Sequence, residues 1–120
     1  MRTRVDTRRK ISVAPPESDP GTVWVRAYFD PVLPHHARML ARHKQGAERL
    51  GVIIAPLEES LLPATARAEI VASLECVDLV RAPGAETPAG TGVIDECESD
   101  LRERGRFLQH VLARHGRLRE

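Results

Sequence analysis

Residues 21–55 read GTVWVRAYFDPVLPHHARMLARHKQGAERLGVIIA, and this stretch predicts a strand, a helix and a second strand. The segment from Thr22 to Phe29 is rich in β-branched and aromatic residues, which favour a strand. Asp30-Pro31 ends this strand because proline lacks the N–H that a sheet ladder needs. A helix can begin at Pro34, and the apolar run Val52–Ala55 indicates a strand buried on both faces. We therefore predict a βαβ unit with parallel strands and a right-handed crossover.

Apolar periodicity and breaker residues predict the remaining elements. These are the end of the first helix at Gly46 or Gly51, a helix over residues 64–75, a strand over 77–80, a surface loop over 81–92, an edge strand over 92–95 and a last helix over 99–115. The second helix presents Ala66, Ile70, Val71 and Leu74 at helical spacing as its core face.

The last helix has a charged first turn and one apolar stripe. Glu98, Ser99 and Asp100 are expected to cap it and to place negative charge at its N-terminus. Its apolar stripe is Leu101, Leu108, Val111 and Leu112, which we expect to cover either the sheet or a second subunit. Gly116 is the expected C-cap.

The chain length predicts one domain, and the composition of its ends predicts a short extension at each terminus. Residues 1–20 are basic and proline-rich and predict a flexible tail, residues 21–116 the folded domain, and residues 117–120 a C-terminal tail. A short edge strand at Ile11–Ala14 is an open alternative, and a nucleic-acid-binding arm is the weaker one. We predict a Rossmann-like, three-layer α/β/α domain with a mostly parallel sheet of about four strands. In chain order of those strands the expected arrangement is 3-2-1-4.

Charge and cysteine content exclude several classes of protein. Eighteen Lys and Arg residues against seventeen Asp and Glu residues leave no bulk charge that points to nucleic acid or membrane. No apolar run approaches the ~20 residues of a membrane span. Two cysteines, Cys76 and Cys97, are too few for a disulfide scaffold, so we expect reduced thiols in a cytoplasmic protein.

The span from Val23 to Pro83 resembles the cytidylyltransferase-like branch of the nucleotidyltransferase superfamily. That family ends its first strand in Gly-x-Phe-Asp and opens its first helix with His-x-Gly-His. Here Ala27-Tyr28-Phe29-Asp30 stands at the first motif and Leu33-Pro34-His35-His36 at the second. Arg67 followed by Val77-Asp78 resembles the family's Arg-containing helix and third strand.

The resemblance implies transfer of a nucleoside monophosphate from CTP or ATP to a small acceptor, with Mg²⁺ as cofactor. It implies His36 as the catalytic residue. The nucleotide contacts that it implies are Tyr28, Phe29, Asp30, His35 and Arg67, and no residue is implied as a protein ligand of a metal. The partners implied are CTP or ATP, and neither membrane nor nucleic acid is expected.

Several positions depart from the family pattern. Leu33 replaces one phosphate-contacting histidine, and His35 replaces the glycine that lets the nucleotide lie against the helix. Residues 56–63 hold no counterpart of the family's lysine, and the family's C-terminal signature is absent. These departures predict weak or lost activity, and the alternative is a non-catalytic interaction or regulatory module, as a homodimer or as the partner of an enzyme.

The same residues also have structural interpretations. His36 on an apolar face suits a hydrogen-bonded buried histidine, and Asp30 suits a turn or cap residue. Arg67 suits an ion pair with a carboxylate as well as a phosphate contact. Adjacent helical residues point about 100° apart, so His35 and His36 are not expected to bind one metal ion together.

Overall fold

The chain forms a mixed α/β fold around one parallel sheet in a computed structural model that describes residues 6–12, 21–83 and 92–118. The strands are β1 (Ile11–Ser12), β2 (Thr22–Ala27), β3 (Arg49–Ile54), β4 (Leu79–Arg81) and β5 (Val93–Asp95). The helices are α1 (Pro34–Lys44), α2 (Ala64–Ala72), α3 (Cys97–Leu118) and a 3-10 helix at Thr7–Lys10.

The sheet order is β1-β4-β3-β2-β5, and every neighbouring pair is parallel. The Rossmann-like α/β class is confirmed, and β4-β3-β2-β5 is the order predicted for the four expected strands. The fifth strand, β1, adds to the edge of the sheet beside β4. This strand falls within residues 1–20, which we expected to be a flexible tail, and it agrees with the alternative of a short edge strand at Ile11–Ala14.

The first crossover agrees with its prediction. Val25 of β2 pairs with Val52 of β3, and both side chains are fully buried. The glycine that follows α1 is Gly46, whose φ of +78° suits the turn after a helix end. Gly51 lies inside β3 instead, where a Cβ would overlap the Trp24 ring. A glycine there allows the largest buried side chain to lie across the neighbouring strand.

Alternate residues of the strands form the core. Val25 and Ala27 of β2, Leu50, Val52 and Ile54 of β3 and Val80 of β4 pack with Met39 and Leu40 of α1 and with Val71 of α2. Helices α1 and α2 both cover this face, as expected for two crossovers of the same hand that run in the same direction along the sheet. Trp24, Ile53 and Arg81 project from the opposite face.

Helix α2 is rotated relative to its prediction. Its buried residues are Arg67, Ala68, Val71 and Ala72, whereas Ile70 is 40% exposed. Of the four residues predicted for the core face, Val71 is buried and Leu74 packs against the core. Ala66 is only half-buried, and the prediction is wrong for Ile70. The reason is Arg67, whose guanidinium faces the sheet and turns Ile70 outward.

Helix α3 begins earlier and ends later than predicted. Asp95 accepts the N–H of Cys97 through its side chain and begins the helix, while Gly116 does not end it. Leu101 and Leu112 are 43% and 69% exposed, so the predicted stripe does not cover the sheet. Residues 13–14 of the proposed edge strand, residues 84–91 of the predicted loop and residues 119–120 lie outside the described residues.

Candidate functional site

The carboxyl ends of β2 and β5 meet at the point where the chain changes direction along the sheet. From β2 the chain runs toward β3 and β4, whereas β5 lies on the other side of β2. Helices α1 and α3 begin close to this point. In open parallel α/β sheets, ligands bind in the crevice at such a switch point. The residues that follow β2 and β5 are therefore the first candidates for a site.

Asp100 of α3 lies inside this crevice and is only 2% exposed. Its Oδ2 accepts the backbone N–H groups of Tyr28 at 2.8 Å and Phe29 at 3.0 Å. Its Oδ1 lies 2.7 Å from Nε2 of His36. Two consecutive backbone N–H groups and an imidazole thus converge on one carboxylate, which is the donor arrangement of an anion-binding nest.

Phe29 has the backbone conformation that such a nest requires. Its φ is +54°, in the left-handed region that a bulky residue rarely adopts. The N–H bond to Asp100 and complete burial of the Phe29 ring hold it there. The ring centroid lies 4.8 Å from that of His36, so the aromatic residue and the histidine pack together beneath the carboxylate.

His36 uses both ring nitrogens within the protein. The N–H of Leu33 donates to Nδ1 at 2.8 Å, so this nitrogen carries no proton. Nε2 then carries the proton and donates it to Asp100. The side chain is fully buried. The structural interpretation of His36 is what the geometry favours, and the catalytic role implied by the resemblance stays a prediction.

The environment of Asp100 keeps its carboxylate ionised. Burial raises its pKa, but the hydrogen bonds from His36, Phe29 and Tyr28 outweigh burial and lower the pKa below the ordinary value of 3.8. At neutral pH the crevice therefore contains a negative charge that belongs to the protein itself.

Asp30 forms a second buried network beside the first. Its carboxylate accepts the N–H groups of Leu61 at 2.7 Å and Leu62 at 2.8 Å. Arg104 of α3 donates to it at 3.2 Å and to its backbone carbonyl at 3.0 Å. Asp30 does not cap α1, as one interpretation of the sequence expected. It attaches the loop after β3 and the helix α3 to the end of β2.

Arg67 binds main-chain oxygens. One terminal nitrogen donates to the carbonyls of Tyr28 at 2.9 Å and Ala55 at 3.0 Å, which follow β2 and β3. None of the ion pairs among the described residues includes Arg67, so the predicted ion pair is not formed there. The residue is 2% exposed and joins the ends of two central strands.

His35 lies at the margin of the crevice. Its Nε2 is buried without a hydrogen-bond partner and lies 3.6 Å from Oδ1 of Asp100. Burial, with the neighbouring His36 ring, lowers the pKa of His35 below its ordinary value. The ring borders a groove of about 670 Å³ between α1 and α3, whose walls include Arg38 and Arg42 on one side and Glu96 and Glu103 on the other.

One group of three metal-ligating side chains occurs in the described part of the chain: His35, His36 and Asp100. The two rings lie 3.9 Å apart, which is closer than the turn of about 100° between adjacent helical residues suggests. The chemistry nevertheless does not fit a metal. A ligating histidine donates from its second nitrogen, whereas Nδ1 of His36 accepts. The Mg²⁺ implied by the resemblance prefers oxygen ligands, and the one carboxylate here is bound by N–H groups.

Asp100 and Arg104 were missed as members of a buried site. Their i, i+4 spacing on a charged helix is typical of an exposed ion pair, and we assigned Asp100 to helix capping. The available signal was that Cys97, Asp100, Arg104 and Phe107 share one helix face. That face is more buried than the leucine stripe.

Comparisons with known proteins identify no family for this chain. No protein-family model matches it, and a search of curated proteins finds no significant match. Among the described residues, no helix is long and apolar enough to cross a membrane.

Proposed function

We propose that this chain is a nucleotidyltransferase-like domain that does not transfer nucleotides and acts as a non-catalytic interaction module. One observation carries the proposal. The carboxylate of Asp100 fills the anion-binding nest at the switch point, where it accepts N–H groups of Tyr28 and Phe29 and the proton of His36. A nucleotide phosphate would need the same donors.

The electrostatics support the same conclusion. A phosphate that approached this nest would meet a buried negative charge, and like charges at close range in a dry site repel strongly. Catalysis of phosphoryl transfer depends on donors that stabilise charge as the leaving group departs. His36 has neither an exposed nitrogen nor an unused one, and Leu33 offers no donor from its side chain.

Calorimetry with CTP, ATP and their diphosphates, with and without Mg²⁺, tests the proposal. We expect no binding below about millimolar concentration and no turnover above background with phosphorylated acceptors, since each missing donor typically removes about two or three orders of magnitude of rate. Binding of either nucleotide at micromolar concentration by the wild-type protein would contradict the proposal.

Two matched variants test whether the His35 ring or the Asp100 carboxylate blocks nucleotide binding. The variant Leu33→His with His35→Gly restores the family's histidine pair but keeps Asp100 in the nest. We expect it to bind nucleotide no better than the wild type. The same variant with Asp100→Gly removes the internal anion, and we expect it to gain binding if it remains folded by circular dichroism. Binding by the first variant alone would identify His35 as the obstruction and would exclude Asp100.

A further inference from the structure

Helix α3 presents a row of four residues that lies apart from the crevice. The row is Leu101, Gly105, Leu108 and Leu112, called here the α3 stripe. Their spacing of four, three and four residues keeps them within about 60° of the helix circumference, since successive residues turn by about 100°. This is the spacing of the contact seam in paired helices.

The two ends of the α3 stripe are exposed, and its middle residues, Gly105 and Leu108, are half-buried. Leu101 is 43% exposed and Leu112 is 69% exposed. A Cβ added to Gly105 would meet nothing within 4 Å. None of the four residues belongs to the hydrophobic core or packs against it. Leu108 lies between the two exposed leucines on the same helix face, so the three form a continuous apolar row, which marks an interaction surface better than isolated leucines do.

The order of residues in the α3 stripe is complementary to itself. If a second α3 lies antiparallel about the midpoint between Arg106 and Phe107, each Leu101 meets the Leu112 of the other copy. Each Gly105 then meets the Leu108 of the other copy. A glycine without a side chain leaves the hole into which a leucine knob can insert. Arg102 at the margin would lie beside Gln109 of the second copy, so these positions bring no two like charges together.

We propose that a second copy of this chain docks antiparallel on the α3 stripe and forms a two-fold symmetric dimer. The same patch serves both copies, as a two-fold interface requires. The contact runs along about 17 Å of helix, at about 1.5 Å per residue. That length corresponds to a small interface of the transient class, so the dimer forms reversibly and depends on concentration.

Sedimentation velocity of the full chain tests the interface. Over about 1 to 200 µM we expect the wild type to pass from monomer to dimer. Gly105→Gln fills the hole and Leu112→Lys places a charge in the seam, so each should weaken dimerisation at least about tenfold. Ala113→Lys is the matched control, because it adds the same charge one residue further along and about 100° away. A wild type that stays monomeric, or a dimer that both stripe variants leave unchanged, would overturn the proposal.

Cross-linking tests the antiparallel register. Leu101→Cys protein mixed with Leu112→Cys protein should form a disulfide-linked heterodimer, identified by mass spectrometry, whereas neither protein should cross-link with itself. The native thiols are poor competitors, since burial raises the pKa of Cys97 to about 11 and also raises that of Cys76. Self-linking of Leu112→Cys would mean parallel helices and would overturn the register. The α3 stripe shares no residue with the groove between α1 and α3. If the protein proves to be monomeric, the proposal that it lacks catalytic activity would therefore still stand.

Discussion

At the residue scale, Asp100 joins three segments that are far apart in the sequence. Its carboxylate binds the turn after β2 through Tyr28 and Phe29, and it binds α1 through His36. The donors from Phe29 and His36 are buried and that from Tyr28 is partly buried, and an unsatisfied buried donor costs about 1–3 kcal/mol. Asp100 is therefore the shared acceptor that holds these three segments together.

The first prediction at this scale is that Asp100→Ala destabilises the protein by about 3–5 kcal/mol, because it leaves several buried N–H groups without an acceptor. Urea unfolding followed by circular dichroism measures the loss. Glu98→Ala is the control on the same helix, since Glu98 is exposed and its removal should change stability by less than about 0.5 kcal/mol.

The same variant shows whether the nest binds external anions. We expect acetate or phosphate to raise the melting temperature of Asp100→Ala more than that of the wild type, because a ligand that binds only the folded state stabilises it. An equal response of both proteins would mean that the nest collapses without Asp100 and offers no anion site.

At the element scale, β1 is tied to the domain by several contacts. Ile11 pairs with Val80 of β4 and packs against the hydrophobic core. Lys10 donates to the carbonyl of Leu74, and the N–H of Ala82 donates to the carbonyl of Ser12. These contacts also cover the edge of β4, which would otherwise present unpaired backbone groups.

Removal of residues 1–12 should therefore lower the stability of the domain by about 1–3 kcal/mol, mainly through the loss of Ile11 burial. Chemical unfolding of the shortened protein measures this change. Removal of residues 1–5 alone is the control, because it retains every contact of β1 named above. If the two shortened proteins unfold at the same urea concentration as the wild type, β1 contributes nothing to stability.

At the scale of the whole molecule, two ionisable groups in one crevice make stability depend on pH. The pKa of His35 is lowered, chiefly by burial, so the unfolded chain takes up this proton first as pH falls. The contribution of His35 is thus fully present above the unfolded value of about 6.5 and is lost as pH falls through the folded pKa. The pKa of Asp100 is lowered as well, so its contribution is lost at more acidic pH, below about 4.

We therefore expect the free energy of unfolding to begin to fall as the pH drops below about 6.5, and to fall again below about pH 4. The variant His35→Gln should retain the loss of stability below about pH 4 but show a smaller decrease just below about pH 6.5. Urea unfolding at several pH values measures both ranges. A wild type and variant with the same pH dependence near neutrality would show that His35 does not titrate on unfolding.

Local patterns in the sequence predicted four of the five strands of the sheet. The apolar run of β3, the β-branched run of β2 and the breaker at Asp30-Pro31 depend on near neighbours in the chain. With the right-handed rule for crossovers, they suffice to predict parallel β2 and β3 and the order of four strands. Chain length and charge balance predict one domain without a bulk electrostatic partner.

Only the tertiary structure decided what the polar residues do. His36 and Asp100 are sixty-four residues apart, and Asp30 and Arg104 seventy-four, so no local pattern links either pair. Arg67 of α2 faces the sheet and donates to two carbonyls at the strand ends. Hydrophobic periodicity cannot predict a charged residue on the core face of a helix. The sequence alone does not distinguish a carboxylate that caps a helix from one that accepts the N–H groups of a nest. Which of these it does depends on the donors that folding brings to it.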